Sequence, residues 1–222
     1  MQLVRVFVFL SFLCCFSPVE GKEKRKVPLA SLSSSSIVPT IVIDAGHGGT
    51  DLGTKSKKPF CEEKRVCLQT ARLVKKYLEQ LGYHVVMTRV SDAFIPLSRR
   101  VQVAAQSGGS VFVSVHYNSA PAQSAQGVEI FFFNGKEEKS RTIASKRLAE
   151  SVLPRILRRT SAVSRGVKSG NYYVLRENTI PAIIVEGGFI SNPDECSLLK
   201  TFTYQDLVAR GIADGIDQYF KM

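Results

Sequence analysis

Several features that define other classes of protein are missing from this sequence. It contains no tryptophan, and aromatic residues make up 9% of its 222 positions, so composition gives no support to base stacking by a nucleic-acid-binding protein. No internal repeat is visible. The shares of apolar residues (44%) and charged residues (22%) are ordinary for a folded domain, which excludes a disordered, collagenous or coiled-coil chain. The length predicts one domain with appendages.

Acidic residues are scarce relative to basic ones. The chain has 19 Asp and Glu against 30 Lys and Arg, a net charge of +11. Such a balance suits an anionic partner, which could be nucleic acid, a membrane surface or a carboxylate-rich polymer. The first 21 residues contain one charge of each sign, Arg5 and Glu20, so the basic character belongs to the rest of the chain.

A hydrophobic run long enough to span a bilayer is missing as well. The apolar run at residues 6–16 has about a dozen residues, against roughly 20 for a spanning helix. Arg5 precedes it and small or medium residues follow at 19–21, an arrangement typical of a secretory signal peptide, here residues 1–21. An uncleaved membrane anchor is the alternative. Lipidation of Cys14 or Cys15 is disfavoured because neither has Leu three positions before it.

The segment after the predicted signal peptide is basic and rich in serine. Residues 22–39 are therefore predicted to be a flexible linker, followed by a folded domain over 40–222. Cleavage would leave three cysteines, Cys61, Cys67 and Cys196. An odd number excludes a complete disulfide framework. One pair would be compatible with an oxidising compartment, but the sequence does not choose it.

Apolar runs of two different periods alternate along the predicted domain. Helical spacing and β-branched runs predict helices at 62–81, 96–106, 139–160 and 203–220, and strands at 40–44, 84–89, 111–116, 128–133, 172–175 and 182–186. Pro154 is expected to break or kink the third helix. The alternation predicts a single layered α/β domain with a mostly parallel or mixed central sheet flanked by helices.

Polar residues follow three of the predicted strands directly. His47 lies in a Gly-rich loop after the first strand, and His116 and Glu186 end two later apolar runs. Because parallel strands present their carboxyl ends at one edge, these side chains are expected to converge there. Glu62 or Glu63, at the start of the next helix, could reach the same edge. Two histidines with one carboxylate are a common catalytic zinc set, and a further carboxylate can move protons.

Structural roles could also explain some of these residues. The helix dipole favours acidic side chains in the first turn in any case, so Glu62 and Glu63 could both be structural, and spacing alone does not choose between them. Glu186 follows four aliphatic residues, where a carboxylate is costly to bury without partners, and this favours a functional role. His84 begins its strand, so it is predicted to lie at the opposite edge of the sheet as a structural residue.

At these residues the chain resembles the zinc-dependent N-acetylmuramoyl-L-alanine amidases, which are bacterial cell-wall hydrolases. The matching blocks include IVIDAGHGGTDLG, VFVSVHYNSA and RGVKSGNYYVLRENTIPAIIVEGGFISNPDE, and they occur in order over residues 40–222. The resemblance implies a phosphorylase/hydrolase-like α/β fold. It also implies cleavage of the amide bond between N-acetylmuramic acid and L-alanine in peptidoglycan, which separates the stem peptide from the glycan.

The resemblance also implies a role for each site residue. His47, Glu63 and His116 match the family's ligands for one zinc ion, and Glu186 matches its catalytic acid/base. This alignment, and not the spacing, selects Glu63 over Glu62. Arg65 and Cys67 differ from the residues common at these positions in the family, and they are expected to tune packing.

Further expectations concern regulation and location. Residues 134–171 leave room for one helix and a loop, so no inhibitory insert is expected to cover the site. The lack of a recognisable wall-binding module favours a periplasmic enzyme, exported across the inner membrane, with a role in cell division. We expect a monomer acting on peptidoglycan or muropeptides, without nucleic acid or stable membrane insertion, and with an activator protein as an open option.

Two other classes of function compete with this interpretation. Ser197 and Lys200 match S-x-x-K, and residues 168–170 resemble K-T-G, motifs of serine-type penicillin-binding D,D-carboxypeptidases. The S-x-N match at 169–171 overlaps the second motif, and the order differs from that family. A non-catalytic peptidoglycan-binding protein that keeps the fold is the other alternative.

Overall fold

The computed structural model describes residues 38–57, 59–135 and 138–222. The predicted signal peptide, Cys14, Cys15 and nearly all of the predicted linker lie outside these residues, so their assignments stay predictions. None of the described helices is both long and apolar enough to cross a membrane.

The described residues form eight strands and six helices. The strands are β1 (Thr40–Ala45), β2 (Lys55–Lys57), β3 (Phe60–Glu62), β4 (His84–Met87), β5 (Val111–Asn118), β6 (Val128–Phe132), β7 (Ser164–Ser169) and β8 (Ala182–Phe189). The helices are α1 (Glu63–Gln80), α2 (Leu97–Gln106), α3 (Lys139–Thr160), α4 (Tyr173–Arg176), α5 (Pro193–Leu199) and α6 (Phe202–Lys221).

Six strands form one mixed sheet in the order β4-β1-β5-β8-β6-β7. Strands β4, β1, β5 and β8 run parallel, whereas β6 is antiparallel to β8 and parallel to β7. The fold-class prediction is therefore confirmed. Strands β2 and β3 form a separate antiparallel hairpin. In the large sheet Glu186 lies opposite His116 of β5 on one side and opposite Glu129 of β6 on the other.

Alternate residues of the central strands face two different helical layers. Ile43, Val113 and Val185 belong to the core that includes residues of α1, α3 and α6. Val42 and Phe112 belong to the smaller core that includes residues of α2 and α4. Both faces of the sheet are thus covered, which is why the strands are almost continuously apolar. Each large aliphatic side chain buried in this way contributes about 1.5–3 kcal/mol.

The predicted strand at 172–175 is wrong. Residues Tyr173–Arg176 form the short helix α4, and the strand lies earlier, at Ser164–Ser169. The aromatic and β-branched residues of 172–175 favour a strand by propensity. In the fold Val174 and Leu175 are instead buried in the smaller core, and Arg141 donates to the carbonyl of Leu175 at 2.8 Å. Strand β7 is largely polar, so the sequence carries little signal for it.

The prediction at Pro154 was a break or a kink, and the break is wrong, because α3 runs unbroken from Lys139 to Thr160. Proline removes one backbone N–H, but Pro154 is exposed, so water can satisfy the carbonyl that this leaves unpaired. On its other side α3 packs closely on α6. A Cβ at Gly215 would lie 2.4 Å from the Cα of Val152, so this close contact holds the helix in place past the proline.

Candidate metal site

The fold brings the three predicted metal ligands together. One ligand atom from each of His47, Glu63 and His116 lies within 4.8 Å of the others. The Oε1 atom of Glu63 is 3.0 Å from Nε2 of His47 and 3.0 Å from Nδ1 of His116. The two imidazole rings meet edge to face with centroids 4.8 Å apart. Their side chains are 22% and 21% exposed, so the group is open to solvent.

The loop after β1 adopts a strained backbone that places His47. Its φ angle is +58°, in the left-handed region that costs free energy for a residue with a side chain and is often found at functional sites. The preceding Gly46 lies directly against the other histidine: a Cβ there would be 2.3 Å from Cε1 of His116. The loop can therefore approach β5 this closely only because residue 46 has no side chain.

Asp51, which the sequence analysis did not single out, orients His47. Its Oδ2 atom is 2.8 Å from Nδ1 of His47, and its Oδ1 atom accepts from the backbone N–H of Gly53 at 3.1 Å. Burial raises the pKa of Asp51, but the hydrogen bonds from His47 and Gly53 outweigh this effect and lower it overall. With Nδ1 donating to Asp51, the lone pair on Nε2 of His47 is free to bind a cation. The sequence signal that could have identified Asp51 is its position four residues after His47.

Glu63 is held by two backbone donors at the start of α1. Its Oε2 accepts from the N–H of Thr54 at 2.9 Å and its Oε1 from the N–H of Tyr117 at 3.2 Å. Burial raises the pKa of Glu63, but the interactions with the imidazoles of His116 and His47 outweigh it and hold that pKa well below its usual range. The carboxylate is therefore ionised, as a metal ligand must be.

The structure separates Glu63 from its neighbour Glu62. Glu62 is the last residue of β3, and its carboxylate lies 3.9 Å from Nζ of Lys55 on the paired strand β2. Of the two glutamates that the spacing left open, Glu63 is the one whose carboxylate meets the histidines.

Two buried arginines hold the carbonyl groups of the His47 loop. Arg89 donates to the carbonyls of Ala45 and Gly46 at 2.9 and 2.6 Å. Arg100 donates to those of Ala45 and His47 at 2.7 and 2.8 Å. Neither arginine was singled out from the sequence, because they follow β4 and lie in α2, far from the loop along the chain. They restrain the backbone of the strained turn.

Glu186 lies beside the histidine–glutamate cluster and is held differently from Glu63. It is the in-register neighbour of His116 across β5 and β8. Its Oε2 atom is buried and has no hydrogen-bond partner among the described residues. Burial raises the pKa of Glu186 to about 7, helped by the charges of Glu63 and Glu129 and opposed by His116. A carboxyl group with a pKa near neutrality can both accept and return a proton.

Glu129, on the other side of Glu186, is paired with basic residues. Its Oε2 lies 2.9 Å from Nε of Arg165 and 2.5 Å from Nζ of Lys168, both on β7, and its Oε1 accepts from Nδ2 of Asn118 at 2.6 Å. Burial raises the pKa of Glu129, but Lys168 and Arg165 outweigh it and lower that pKa overall. The pKa values of two carboxyl groups in register across the sheet are thus shifted in opposite directions, because Glu129 is paired with Lys168 and Arg165 whereas the Oε2 of Glu186 has no hydrogen-bond partner among the described residues.

Two other residues from the sequence analysis lie elsewhere. His84 begins β4, and its Nδ1 is 3.4 Å from Oγ1 of Thr40, where β1 begins. This position, at the opposite edge from His47 and His116, agrees with its predicted structural role. Ser197 lies on α5, where its hydroxyl donates to the carbonyl of Pro193 at 2.9 Å. The serine-type reading therefore gains no support from this geometry, because the only hydroxyl proton of Ser197 is bound to its own helix.

Two imidazoles and one carboxylate form the donor set typical of a catalytic metal site, and they lie at the edge of the sheet where parallel strands end and ligands bind in α/β folds. Comparison with known proteins identifies the family. The family model for N-acetylmuramoyl-L-alanine amidase matches residues 41–218, so the chain belongs to that family.

Individual relatives resemble the chain over most of its length. A probable cell wall amidase, LytH of Staphylococcus epidermidis, is 36% identical over 193 residues, or 86% of this chain and 62% of that protein. The chain thus spans less than two thirds of this relative. The catalytic domain of CwlV, an N-acetylmuramoyl-L-alanine amidase from Bacillus (Paenibacillus) polymyxa var. colistinus, is 36% identical to this chain. The structural match has a TM-score of 0.77 and covers 83% of this chain and 99% of that one. The CwlD amidase of Clostridioides difficile, solved in complex with the GerS lipoprotein, is 30% identical with a TM-score of 0.76, over 82% and 98%.

Proposed function

We propose that this protein is a zinc-dependent N-acetylmuramoyl-L-alanine amidase. It hydrolyses the amide bond between the lactyl group of N-acetylmuramic acid and the L-alanine of the stem peptide. Family membership supports the reaction class. The observation that carries the proposal is the meeting of His47, Glu63 and His116 beside Glu186, whose buried Oε2 has no partner in the described part of the chain.

The cluster fits one small divalent cation. Glu63 is ionised and both imidazoles present a nitrogen to it at 3.0 Å, so three ligand atoms already face one another. Two nitrogens and one carboxylate oxygen suit zinc and leave a position free for water or substrate. Bound there, zinc supplies Lewis acidity, which polarises a carbonyl group and makes water a better nucleophile at neutral pH.

The protein's own groups move the proton and position the ligands. Ionised Glu186 accepts a proton from the attacking water and then donates it to the nitrogen of the departing L-alanine. Burial, which raises the pKa of Glu186 above the usual carboxyl value, serves both steps, since the group must change protonation state in each. Asp51 keeps His47 in the tautomer whose Nε2 binds metal, and the two buried arginines, Arg89 and Arg100, keep the loop in place.

The proposal includes an extracytoplasmic location and an anionic substrate. The LytH relative is named a probable cell wall amidase, and stem peptides carry carboxylates that complement the net charge of +11 of this chain. The predicted signal peptide implies export, and we place the enzyme in the periplasm. An activator protein stays an open part of the proposal; CwlD of C. difficile has been solved with a lipoprotein.

Mass spectrometry of a purified muropeptide is the direct test. The full chain is incubated with the muropeptide after treatment with a chelator, and again after zinc is added back. We expect zinc-dependent separation of the glycan from an intact stem peptide. Loss of only the terminal D-alanine would overturn the proposal in favour of carboxypeptidase chemistry.

Variants then test the assigned roles. His116→Ala should lose bound zinc and activity together, whereas Glu186→Gln should keep zinc and lose most activity. His84→Ala is the matched control, because this histidine lies at the opposite sheet edge, and it should keep both. If Glu186→Gln loses zinc while Glu63→Ala keeps it, the assignment of the two carboxylates is reversed.

A further inference from the structure

Two of the three described cysteines are brought together from distant parts of the chain. Cys61 lies in the middle of β3 and Cys196 lies in α5. Their side chains are 4% and 0% exposed and belong to the same core. After burial, the neighbouring Cys196 is the main cause that raises the pKa of the Cys61 thiol. The Sγ atom of Cys196 also lies 3.5 Å from the carbonyl of Pro59, two residues before Cys61.

The third cysteine faces a different neighbour. Cys67 lies one turn into α1, and its Sγ is 4.0 Å from Oε1 of Glu63. It is fully buried. Geometry therefore resolves the odd number of cysteines into one adjacent pair and one separate thiol, a choice that sequence spacing does not make.

We propose that Cys61 and Cys196 form a disulfide bond when the protein is in an oxidising compartment, and that Cys67 stays a free thiol. In this structure all three are free thiols. The S–S bond forms by exchange with a small-molecule or protein disulfide. Both cysteines lose their thiol protons, two electrons pass to the oxidant, and its own S–S bond is reduced to two thiols.

The surroundings of Cys61 allow an oxidant to reach the pair. A surface cavity of about 190 Å³ is lined by Cys61 together with Phe60 and Lys200. The hairpin of β2 and β3 has only two strands and is separate from the main sheet. Hairpins of this kind are marginally stable alone, so local opening can expose the sulfur atoms.

The bond would tie together the two segments that flank the carboxylates of the candidate site. Cys61 lies two residues before Glu63, and α5 begins shortly after β8, which carries Glu186. Crosslinking positions 61 and 196 closes a long loop, and a disulfide that closes a long loop restricts the unfolded chain most strongly. This inference does not require amidase activity, so it can fail or hold separately from the proposed function.

Peptide mapping tests the pairing. The full chain is equilibrated with a reduced or an oxidised glutathione buffer, unfolded in the presence of an alkylating reagent and digested. In the oxidised sample we expect a peptide pair linked through Cys61 and Cys196, with Cys67 alkylated. Oxidised protein with both thiols alkylated, or with either of them linked to another cysteine, overturns the proposal.

Thermal unfolding provides the second readout. Oxidation should raise the melting temperature of the wild-type chain by about 4 to 16 °C. The shift should be lost in Cys61→Ala and Cys196→Ala and kept in the matched control Cys67→Ala. A shift that persists in Cys61→Ala refutes the pairing. The comparison of oxidised with reduced wild-type protein decides the question even where a variant fails to fold.

Discussion

Removal of Arg100 should destabilise the whole domain through one buried carboxylate. Asp44 at the end of β1 is 1% exposed, and its Oδ1 lies 2.7 Å from a guanidinium nitrogen of Arg100. Hydroxyl groups of Ser114 and Thr88 complete its partners at 2.6 and 2.5 Å. In Arg100→Met this carboxylate stays buried without its cation, and the carbonyl of His47 loses a donor.

The magnitude follows from the loss of one partner in a buried ion pair. Such a change costs about 3–5 kcal/mol, a large share of the roughly 5–15 kcal/mol that stabilises a typical protein. At about 2–4 °C per kcal/mol for a domain of this size, the melting temperature should fall by about 6 to 20 °C. Arg99→Met is the matched control: Arg99 is exposed and its guanidinium donates to Gln102 and Gln106 of its own helix, so its change should stay within about 0.5 kcal/mol.

Urea and thermal unfolding, followed by circular dichroism, measure the effect at pH 7. Asp44→Asn combined with Arg100→Met should be less destabilised than the sum of the single variants, because the neutral amide no longer needs a cation. The free energy of unfolding of Arg100→Met could instead lie within about 1 kcal/mol of that of the Arg99→Met control, or the effects of Asp44→Asn and Arg100→Met could be additive. Either result would show that the buried ion pair does not stabilise the fold as proposed.

The same pair sets a direction for the pH dependence of stability. Burial raises the pKa of Asp44, but Arg100, Ser114 and Thr88 outweigh it and lower that pKa below 3.8. A carboxyl group with a lowered pKa stabilises the fold above its unfolded pKa, and this contribution is lost as the pH falls through the folded value. In Arg100→Met, Asp44 stays buried without its cation, which raises its pKa, so the variant takes up a proton at a higher pH than the wild type. The difference in unfolding free energy between wild type and Arg100→Met should therefore narrow as the pH falls toward the lowered pKa of Asp44 in the wild type. A constant difference down to pH 2 would contradict it.

Three further predictions concern the site. The pKa of Glu186 is raised to about 7 without metal and a nearby divalent cation lowers it. The acid limb of kcat/KM should thus have its midpoint between 4.5 and about 7, and a midpoint at or below 4.5 would count against Glu186 as the base. Gly46→Ala should lose zinc, measured by metal analysis of folded protein, because its Cβ would lie 2.3 Å from the His116 ring; full zinc occupancy would refute this steric argument. Asp51→Asn should weaken zinc binding by about 10–100-fold in competition with a chelator, and unchanged affinity would show that His47 does not depend on this carboxylate.

The sequence was most informative where a side chain follows an apolar strand. The runs before His47, His116 and Glu186 each indicate a buried parallel strand, and parallel strands present their carboxyl ends at one edge of the sheet. The convergence of these three residues was therefore predictable from local pattern alone. The choice of Glu63 over Glu62 came from a family resemblance, and the structure supplies its physical basis in the backbone donors of Thr54 and Tyr117.

Local propensity failed where packing with distant residues decided the outcome. The aromatic run at 172–175 favours a strand, yet α4 forms because Val174 and Leu175 are buried against α2 and β8. Pro154 favours a break in α3, yet the close packing against Gly215 of α6 holds the helix together. Each case includes a partner far along the chain, α2 for the first and α6 for the second, so no short window of sequence contains the whole reason.

What the sequence by itself determined is the α/β alternation and the residues at the strand ends, because both depend on the period of apolar residues along one short segment. Only the tertiary structure decided which carboxylate meets the histidines, which arginines hold the His47 loop, and which cysteines are neighbours. Those relations join positions such as Cys61 and Cys196, or Asp44 and Arg100, whose distance in space depends on how the layers pack and not on their separation along the chain.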